Sequence, residues 1–438
     1  MQMKLLRRRA GWVLGVALLV AGMHSTAQDS LPQSPDFRGE IRRGADGRLI
    51  AVPMSPGSET APLGETAASA PQAAALRAST LVVGPGERIA TITEAARQAR
   101  DGDVVEIKPG EYRGQPAVWT QRDLTIRGVG KRPVMVADGT SAEGKAIWVV
   151  RGGRVRIDNV EFRGARVASG NGAGIRLEGG QLAVFRSAFI DNEMGILTAN
   201  FGDISLEVVD SVFADAPRHE GTLHHLLYVG EIGKFVLRGS RFANGFRGHL
   251  VKSRARENHV LYNVLADSPG GRASYELEFP NGGIAYVIGN VIVQSADSDN
   301  ATMVAFGAEG QRHAHNALYM VHNTLVNERP AGTFVNVWLE RFSTPVQVWG
   351  INNLLVGEGD FNLPAQGRFE GNERLARGAL IEQDGVPTRL PTQSPLRGSV
   401  RLPGQVGAVN LAPTAEFVFP VGSRPLRLPA RLSPGAFQ

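Results

Sequence analysis

A short unit with Asn or Ser two residues before Phe, Leu or Ile returns through the middle of this chain. It reads RSAF (186–189), DSVF (210–213), GSRF (239–242), YNVL (262–265), GNVI (289–292), HNTL (322–325) and NNLL (352–355). The marker positions 187, 211, 240, 263, 290, 323 and 353 are separated by 24, 29, 23, 27, 33 and 30 residues. An irregular period of this size, in short strands divided by Gly and Asn turns, predicts an all-β solenoid in which each repeat is one coil and the loops vary in length. A large β-sandwich gives no reason for the recurrence, and a propeller blade wants about 40 residues or more. Stacked coil on coil, Asn263, Asn290, Asn323 and Asn353 suit amide ladders at a turn, a structural role.

Taken in order, the chain begins with Lys4, Arg7, Arg8 and Arg9, an apolar run from Gly11 to Met23, and the small tripeptide Ser25-Thr26-Ala27. That layout predicts a signal peptide over residues 1–27 and an exported, periplasmic or secreted protein. The apolar run is shorter than the roughly 20 residues a membrane span needs. Its removal leaves 43 basic against 42 acidic side chains, so overall charge argues for neither a nucleic-acid nor a membrane partner. The absence of cysteine excludes disulfides and thiolate metal sites. Residues 28–79, rich in Pro, Ala, Ser and Gly, read as a flexible leader. Beyond them come a strand at Leu81–Val83, a helix over about Thr91–Arg100 with Ile89, Ile92, Ala95, Ala96 and Ala99 on its inner side, and strands at Val104–Ile107, Val118–Thr120 and Leu124–Ile126.

The segment GERIATITEAARQARDGDVVEIKPGEYRG (86–114) resembles the entry to right-handed parallel β-helix proteins of the pectate-lyase-like superfamily. The resemblance covers roughly residues 80–360 and implies an N-terminal helix that caps the coil stack. Physics asks for such a cap, since an open terminal coil exposes unpaired backbone and apolar core. Residues 361–438, where Pro and Arg become frequent, resemble the extended tails that pack along such helices.

Parallel coils stack equivalent strands about 4.8 Å apart, so residues distant in sequence become neighbours on one outer sheet. With the markers as register, the strands concerned are 173–178, 194–199, 223–229, 249–255, 273–279, 302–307 and 334–339. In the stretch 248–283, Val251, Ser253 and Ala255 share one parity and Lys252, Arg254 and Arg256 the other, while Tyr275, Leu277 and Phe279 point inward and leave Glu276 and Glu278 outside. The outward row therefore runs Arg176 and Glu178, His224 and Tyr228, Lys252 and Arg254, Glu276 and Glu278, with Glu309 and Arg312 at one side. A polar row on a rigid sheet suits an extended polymer.

The sharper reading is β-elimination on a uronic-acid polysaccharide. It needs cations to neutralise the carboxylate, a base for the C5 proton, and a donor for the leaving oxygen. Lys252 is the candidate base, with Arg254, Arg247 and Arg256 as neighbouring cations; Tyr228, His224 or His225 is the candidate donor. His249, Glu276, Glu278, Asn281 and Glu309 are candidate substrate contacts. The segment VKSRARENHVLYN (251–263) resembles the chondroitinase-B and alginate-lyase family, which implies that Lys252 is the base. Where that family carries acidic calcium ligands this chain has Gly245 and Arg247, so no metal is implied, and its catalytic Arg in the next coil is replaced by Glu276 and Glu278.

Three other readings stand beside the lyase. Lys252 and Arg254 pair with Glu276 and Glu278 as an ion-pair ladder, worth about 0–1 kcal/mol per exposed pair. Glu276 and Glu278 serve as paired carboxylates of a glycoside hydrolase. The row binds polysaccharide without turning it over. His313 and His315 are spaced like a metal pair but lack a third ligand and read as a solvated loop. The expected partner is an acidic polysaccharide, with no organic cofactor and a monomeric chain.

Overall fold

The structure is a computed structural model that describes residues 78–438, apart from 222 and 268, together with strands Gly39–Arg43 and Leu49–Pro53. The expected signal peptide lies outside the described residues. Within the segment expected as a leader, those two strands pair antiparallel, Gly39 opposite Pro53.

From residue 80 the chain winds into a parallel β-solenoid of about ten turns. Three parallel sheets of twelve, eleven and ten strands form its sides. A coil takes one strand from each, as in Gln181–Phe185, Ala188–Ile190 and Met194–Thr198. Among the described residues, no helix is long and apolar enough to cross a membrane.

The recurring motif sits at the corner between the twelve- and eleven-stranded sheets. Its first residue takes a left-handed conformation in coil after coil, at Arg186 (φ 44°), Asp210 (50°), Gly239 (60°), Tyr262 (55°), Gly289 (67°), His322 (52°) and Asn352 (58°). That conformation turns the chain sharply and leaves the next amide unpaired by either sheet. The marker side chain one coil on accepts it. Ser187 N–H donates to Ser211 Oγ at 3.1 Å, Ser211 to Ser240 Oγ at 3.1 Å, Ser240 to Asn263 Oδ1 at 2.9 Å. Asn263, Asn290, Asn323 and Asn353 continue the ladder at 2.9, 3.0, 2.9 and 3.0 Å, ending on Asn372, which the sequence pattern had not singled out. Each Asn amide also donates to the next Oδ1, as Asn290 Nδ2 does to Asn323 at 3.0 Å.

Two residues past the marker, the apolar position faces the core. Parallel in-register pairing puts like on like, so Phe162, Phe189, Phe213 and Phe242 stack at 5.1, 4.6 and 4.6 Å between ring centroids. Leu265, Ile292, Leu325 and Leu355 extend the column. Each fully buried side chain contributes about 1.5–3 kcal/mol.

The helix spans Ile92–Gln98, with Thr91 Oγ1 accepting from Glu94 N–H at 3.2 Å. All five residues expected on its inner side are buried. Gln121 Nε2 closes its other end by donating to Ala96 O and Ala99 O at 3.2 and 2.9 Å.

The stack runs past the expected limit of 360. Strands Asp360–Asn362, Arg368–Glu370 and Glu373–Leu375 each add to one of the three sheets. The remaining chain forms small hairpins whose Leu380, Val386, Leu390, Phe417 and Phe437 pack on Val264, Val291, Val326 and Val356 outside the eleven-stranded sheet. Strands there are thus buried on both faces. Ala436 N–H donates to Thr324 Oγ1 at 3.0 Å, and Asn352 Nδ2 meets His322 Nε2 at 2.9 Å.

Replacing Asn290 with Ala strands the buried Asn263 amide and breaks the ladder on both sides. We expect a loss of about 3–5 kcal/mol, read as a lowered urea midpoint. Asn372→Ala, at the ladder's partly exposed end, costs less.

Candidate functional site

The outward positions of the ten-stranded sheet form a column. Register aligns Arg176, Leu197, Tyr228, Lys252, Glu278 and Ala305 across successive coils. Behind Lys252, Ser253 points into the core, where its Oγ donates to Asn258 Oδ1 at 2.5 Å. Asn258 Nδ2 in turn donates to Ala255 O at 2.9 Å. This buried pair holds the turn that carries Arg254.

Four charges meet at the strand ends. Lys252 Nζ donates to Glu309 Oε1 at 2.7 Å and lies 3.0 Å from Glu278 Oε2. The Glu278 approach falls outside hydrogen-bond angles although the distance is short, so that contact is Coulombic. Arg254 pairs with Glu309 Oε2 at 2.6 Å, donates through Nε to the Tyr228 hydroxyl at 2.8 Å, and donates through Nη1 to Asn281 Oδ1. Asn281 is held by Gly310 O at 3.1 Å, and His313 Nε2 meets the Arg254 carbonyl at 3.0 Å. Half-buried His313 is therefore part of the scaffold, not of a solvated loop.

Glu309 arrives on a loop between Gly307 (φ 84°) and Gly310 (φ 87°), left-handed positions suited to glycine. Its side chain is 42 % exposed, whereas that of Lys252 is 9 % exposed and that of Glu278 only 3 %. Glu309 is the outer member of the cluster. Burial by itself raises both carboxyls, but His249 and Lys252 around Glu278, and Lys252 and Arg254 around Glu309, hold each below its ordinary value. Burial likewise opposes the Arg254 charge, and Tyr228 and Glu309 more than offset it.

Beside the charges runs a column of buried rings. His249 N–H donates to His225 Nδ1 at 2.8 Å and Tyr275 N–H to His249 Nδ1 at 3.2 Å, with ring centroids 4.6 and 4.9 Å apart. Because both Nδ1 atoms accept, each neutral ring carries its proton on Nε2. That of His249 faces Glu278 Oε2 at 3.0 Å. Burial depresses both histidines; for His225 the neighbouring His249, Lys252 and Arg254 add to it.

The structure thus brings together Tyr228, Lys252, Arg254, Glu278, Asn281, Glu309, His225 and His249. Four candidates lie elsewhere. His224, adjacent to His225 and so turned the other way, sits 3.1 Å from Pro217 O in a depression with Arg166, Asp191, Glu193 and His219. Arg247 is engaged by Glu220 and by Asp299 at 3.2 Å. Arg256 is exposed beyond the turn. Glu276 is fully buried at a corner, within 3.3 Å of Gln294 Nε2 and 3.5 Å of Ser298 Oγ. Burial and then Asp267 push its carboxyl well up, and burial pushes Asp267 itself to about 6.

Glu276 left the row because strand alternation begins only at Leu277. Tyr275, expected inward, instead lies half-buried against His249. Tyr275 and His313 were missed for the same reason: both lie outside the regular strands, where period-2 reading has no hold. Among the described residues, no three His, Asp or Glu are grouped to hold a metal ion.

The buried histidines set a pH dependence. A folded pKa below the unfolded value of 6.5 stabilises the fold fully above about pH 6.5 and loses that contribution as pH falls below it. His249 and His322, the latter lowered to about 4, act in the same sense, and Asp267 acts in the opposite one. His225→Asn retains an acceptor for the His249 amide, and we expect it to flatten the loss of stability between pH 6.5 and 5 in urea titrations.

No protein-family model and no curated protein matches the chain. Among solved structures it is similar to a PL6-family polysaccharide lyase from Pseudopedobacter saltans, at 11 % identity and TM-score 0.43, covering 72 % of this chain and 97 % of that one. It is also similar to ORF18 of Geobacillus virus E2, at 12 % identity and TM-score 0.36, covering 66 % of this chain and 55 % of that one. The chain therefore spans about half the length of the viral protein.

Proposed function

We propose that this protein is an exported polysaccharide lyase that cleaves a uronic-acid-containing polymer by β-elimination on the outer face of the ten-stranded sheet. The observation that carries the reading is the meeting of a lysine, an arginine and a tyrosine hydroxyl around one exposed, loop-borne carboxylate. Glu309 occupies the place that a substrate uronate would take, bridging Lys252 and Arg254. In the reaction the substrate carboxylate displaces Glu309 and pairs with Arg254 and Asn281, which lowers the cost of negative charge developing at C5.

Lys252 must enter the step neutral, and its proton leaves to solvent on the side opened when the exposed Glu309 is displaced. Lys252 Nζ then takes the C5 proton, the C4–C5 double bond forms, and the C4–O bond breaks. The Tyr228 oxygen accepts from Arg254, so its own proton is free to pass to the leaving glycosidic oxygen. Solvent returns a proton to Tyr228, and Lys252 gives up the one it took. His249 steadies Glu278, and His225 packs against Tyr228 at 5.3 Å.

The same reading has the coils wound right-handed, as crossovers between parallel strands overwhelmingly are, and has helix Ile92–Gln98 capping the first coil. It takes an acidic polysaccharide as partner of a monomeric chain and needs no organic cofactor. Non-catalytic binding is the second reading, favoured by the mutual neutralisation of Lys252, Arg254, Glu278 and Glu309. Hydrolysis by Glu276 and Glu278 loses its geometric basis, since the first is buried at a corner and only the second joins the row.

The test is ultraviolet absorbance of unsaturated uronate ends on incubation with alginate, pectate, glucuronan and glycosaminoglycans. We expect signal with one polymer, and a fall of about 10²-fold or more in Lys252→Ala, assayed well below the lowered melting temperature that an unmatched Glu278 gives this variant. Binding without absorbance or new reducing ends establishes the binding-module reading instead.

A further inference from the structure

A second polar site lies on the same outer face, two coils before Tyr228. Lys145, Arg151, Arg176, Glu178, Asn200 and Phe201 line an open depression of about 620 Å³. Register places Arg176 in the column that leads through Leu197 to Tyr228 and Lys252, about 10 Å and 14 Å along the stack at one coil per 4.8 Å.

Its charges are unevenly matched. Glu178 accepts Lys145 Nζ at 2.7 Å and also pairs with Arg151, and Glu143 pairs with the same two cations. Arg176 is left over: its Nε is shielded from water and meets no hydrogen-bond acceptor, the nearest carboxylate oxygen, Glu178 Oε1, being 4.0 Å away. Burial works against its charge. A guanidinium held partly out of water, whose carboxylate partner stands off at 4.0 Å and whose exposed part faces the depression, is relieved of uncompensated charge by an incoming anion.

Two apolar features complete the setting. Phe201 is 60 % exposed at the rim, an unusual position for a phenylalanine and a platform for a sugar ring. Buried Leu197 lies between the two charged sites in this column and packs in one apolar cluster with the Tyr228 ring.

We propose that this depression is a distal subsite that binds a uronate carboxylate of the same polymer through Arg176, with Phe201 stacking on a neighbouring ring. The proposal rests on the lyase reading in taking its substrate class from it. It adds that the protein holds a chain spanning at least three coils and prefers long substrates to short ones.

The test is calorimetric binding of size-fractionated uronate oligosaccharides to full-length Lys252→Ala protein, which holds substrate without cleaving it. Octasaccharides should bind more tightly than disaccharides. Adding Arg176→Gln should remove about tenfold of that gain while leaving disaccharide affinity unchanged. Phe201→Ala, at an exposed position that folding does not require, should do the same. A length gain that survives both substitutions overturns the distal subsite and leaves the lyase reading standing. Failure of every oligosaccharide, of either length, to bind overturns both.

Discussion

The polar ladder at the corner between two sheets is the interaction on which the rest of this solenoid depends. A left-handed residue turns the chain in too short a space for the next amide to reach a strand, and burial makes an unpaired amide costly. One side-chain oxygen per coil meets that need, and its position sets the height and phase of the following coil. Ser does this in the earlier coils by accepting an amide while its hydroxyl donates to the carbonyl two residues before it; Asn in the later ones accepts from a backbone and a side-chain amide and donates to a carbonyl. The ladder therefore works as a ruler along the stack.

Everything downstream inherits that register. The Phe column closes because each ring is set one coil above the last. The outward column of the ten-stranded sheet is aligned by the same ruler, so Tyr228, Lys252 and Glu278 are neighbours although 50 residues separate the first from the last. A slip of one residue in any coil would turn the outward column into the core.

The cluster on that sheet is a balance of buried charges. Lys252 and Glu278 are too deeply set to be left alone, and each is paired; Glu309 supplies the remaining negative charge from a glycine-flanked loop at the surface. Removing one member leaves a buried charge unmatched, which is the costly case. Exchange of Glu309 for an external carboxylate keeps the balance intact. That is why an arrangement resembling a structural ion-pair network also has the form of an anion-binding site, and why Arg176, with an unused donor, extends the pattern along the same face.

The sequence by itself determined the solenoid, its sheets' candidate strands, the ladder and the inner side of the helix, because all of these follow from a local period that each coil repeats. It also placed Tyr228, Lys252 and Glu278 near one another, since alternation and coil register suffice for residues on regular strands. What only the tertiary structure decided lies where the chain is irregular. The bend before Leu277 took Glu276 from the row and brought Tyr275 against His249; the loop at Glu309 folded back as the shared partner of Lys252 and Arg254; adjacent His224 and His225 went to opposite sides. Arg247 was claimed by Glu220 and Asp299 from distant loops. Loops and strand ends carry no period, so their side chains are directed by whichever buried charge or unpaired amide reaches them first in space.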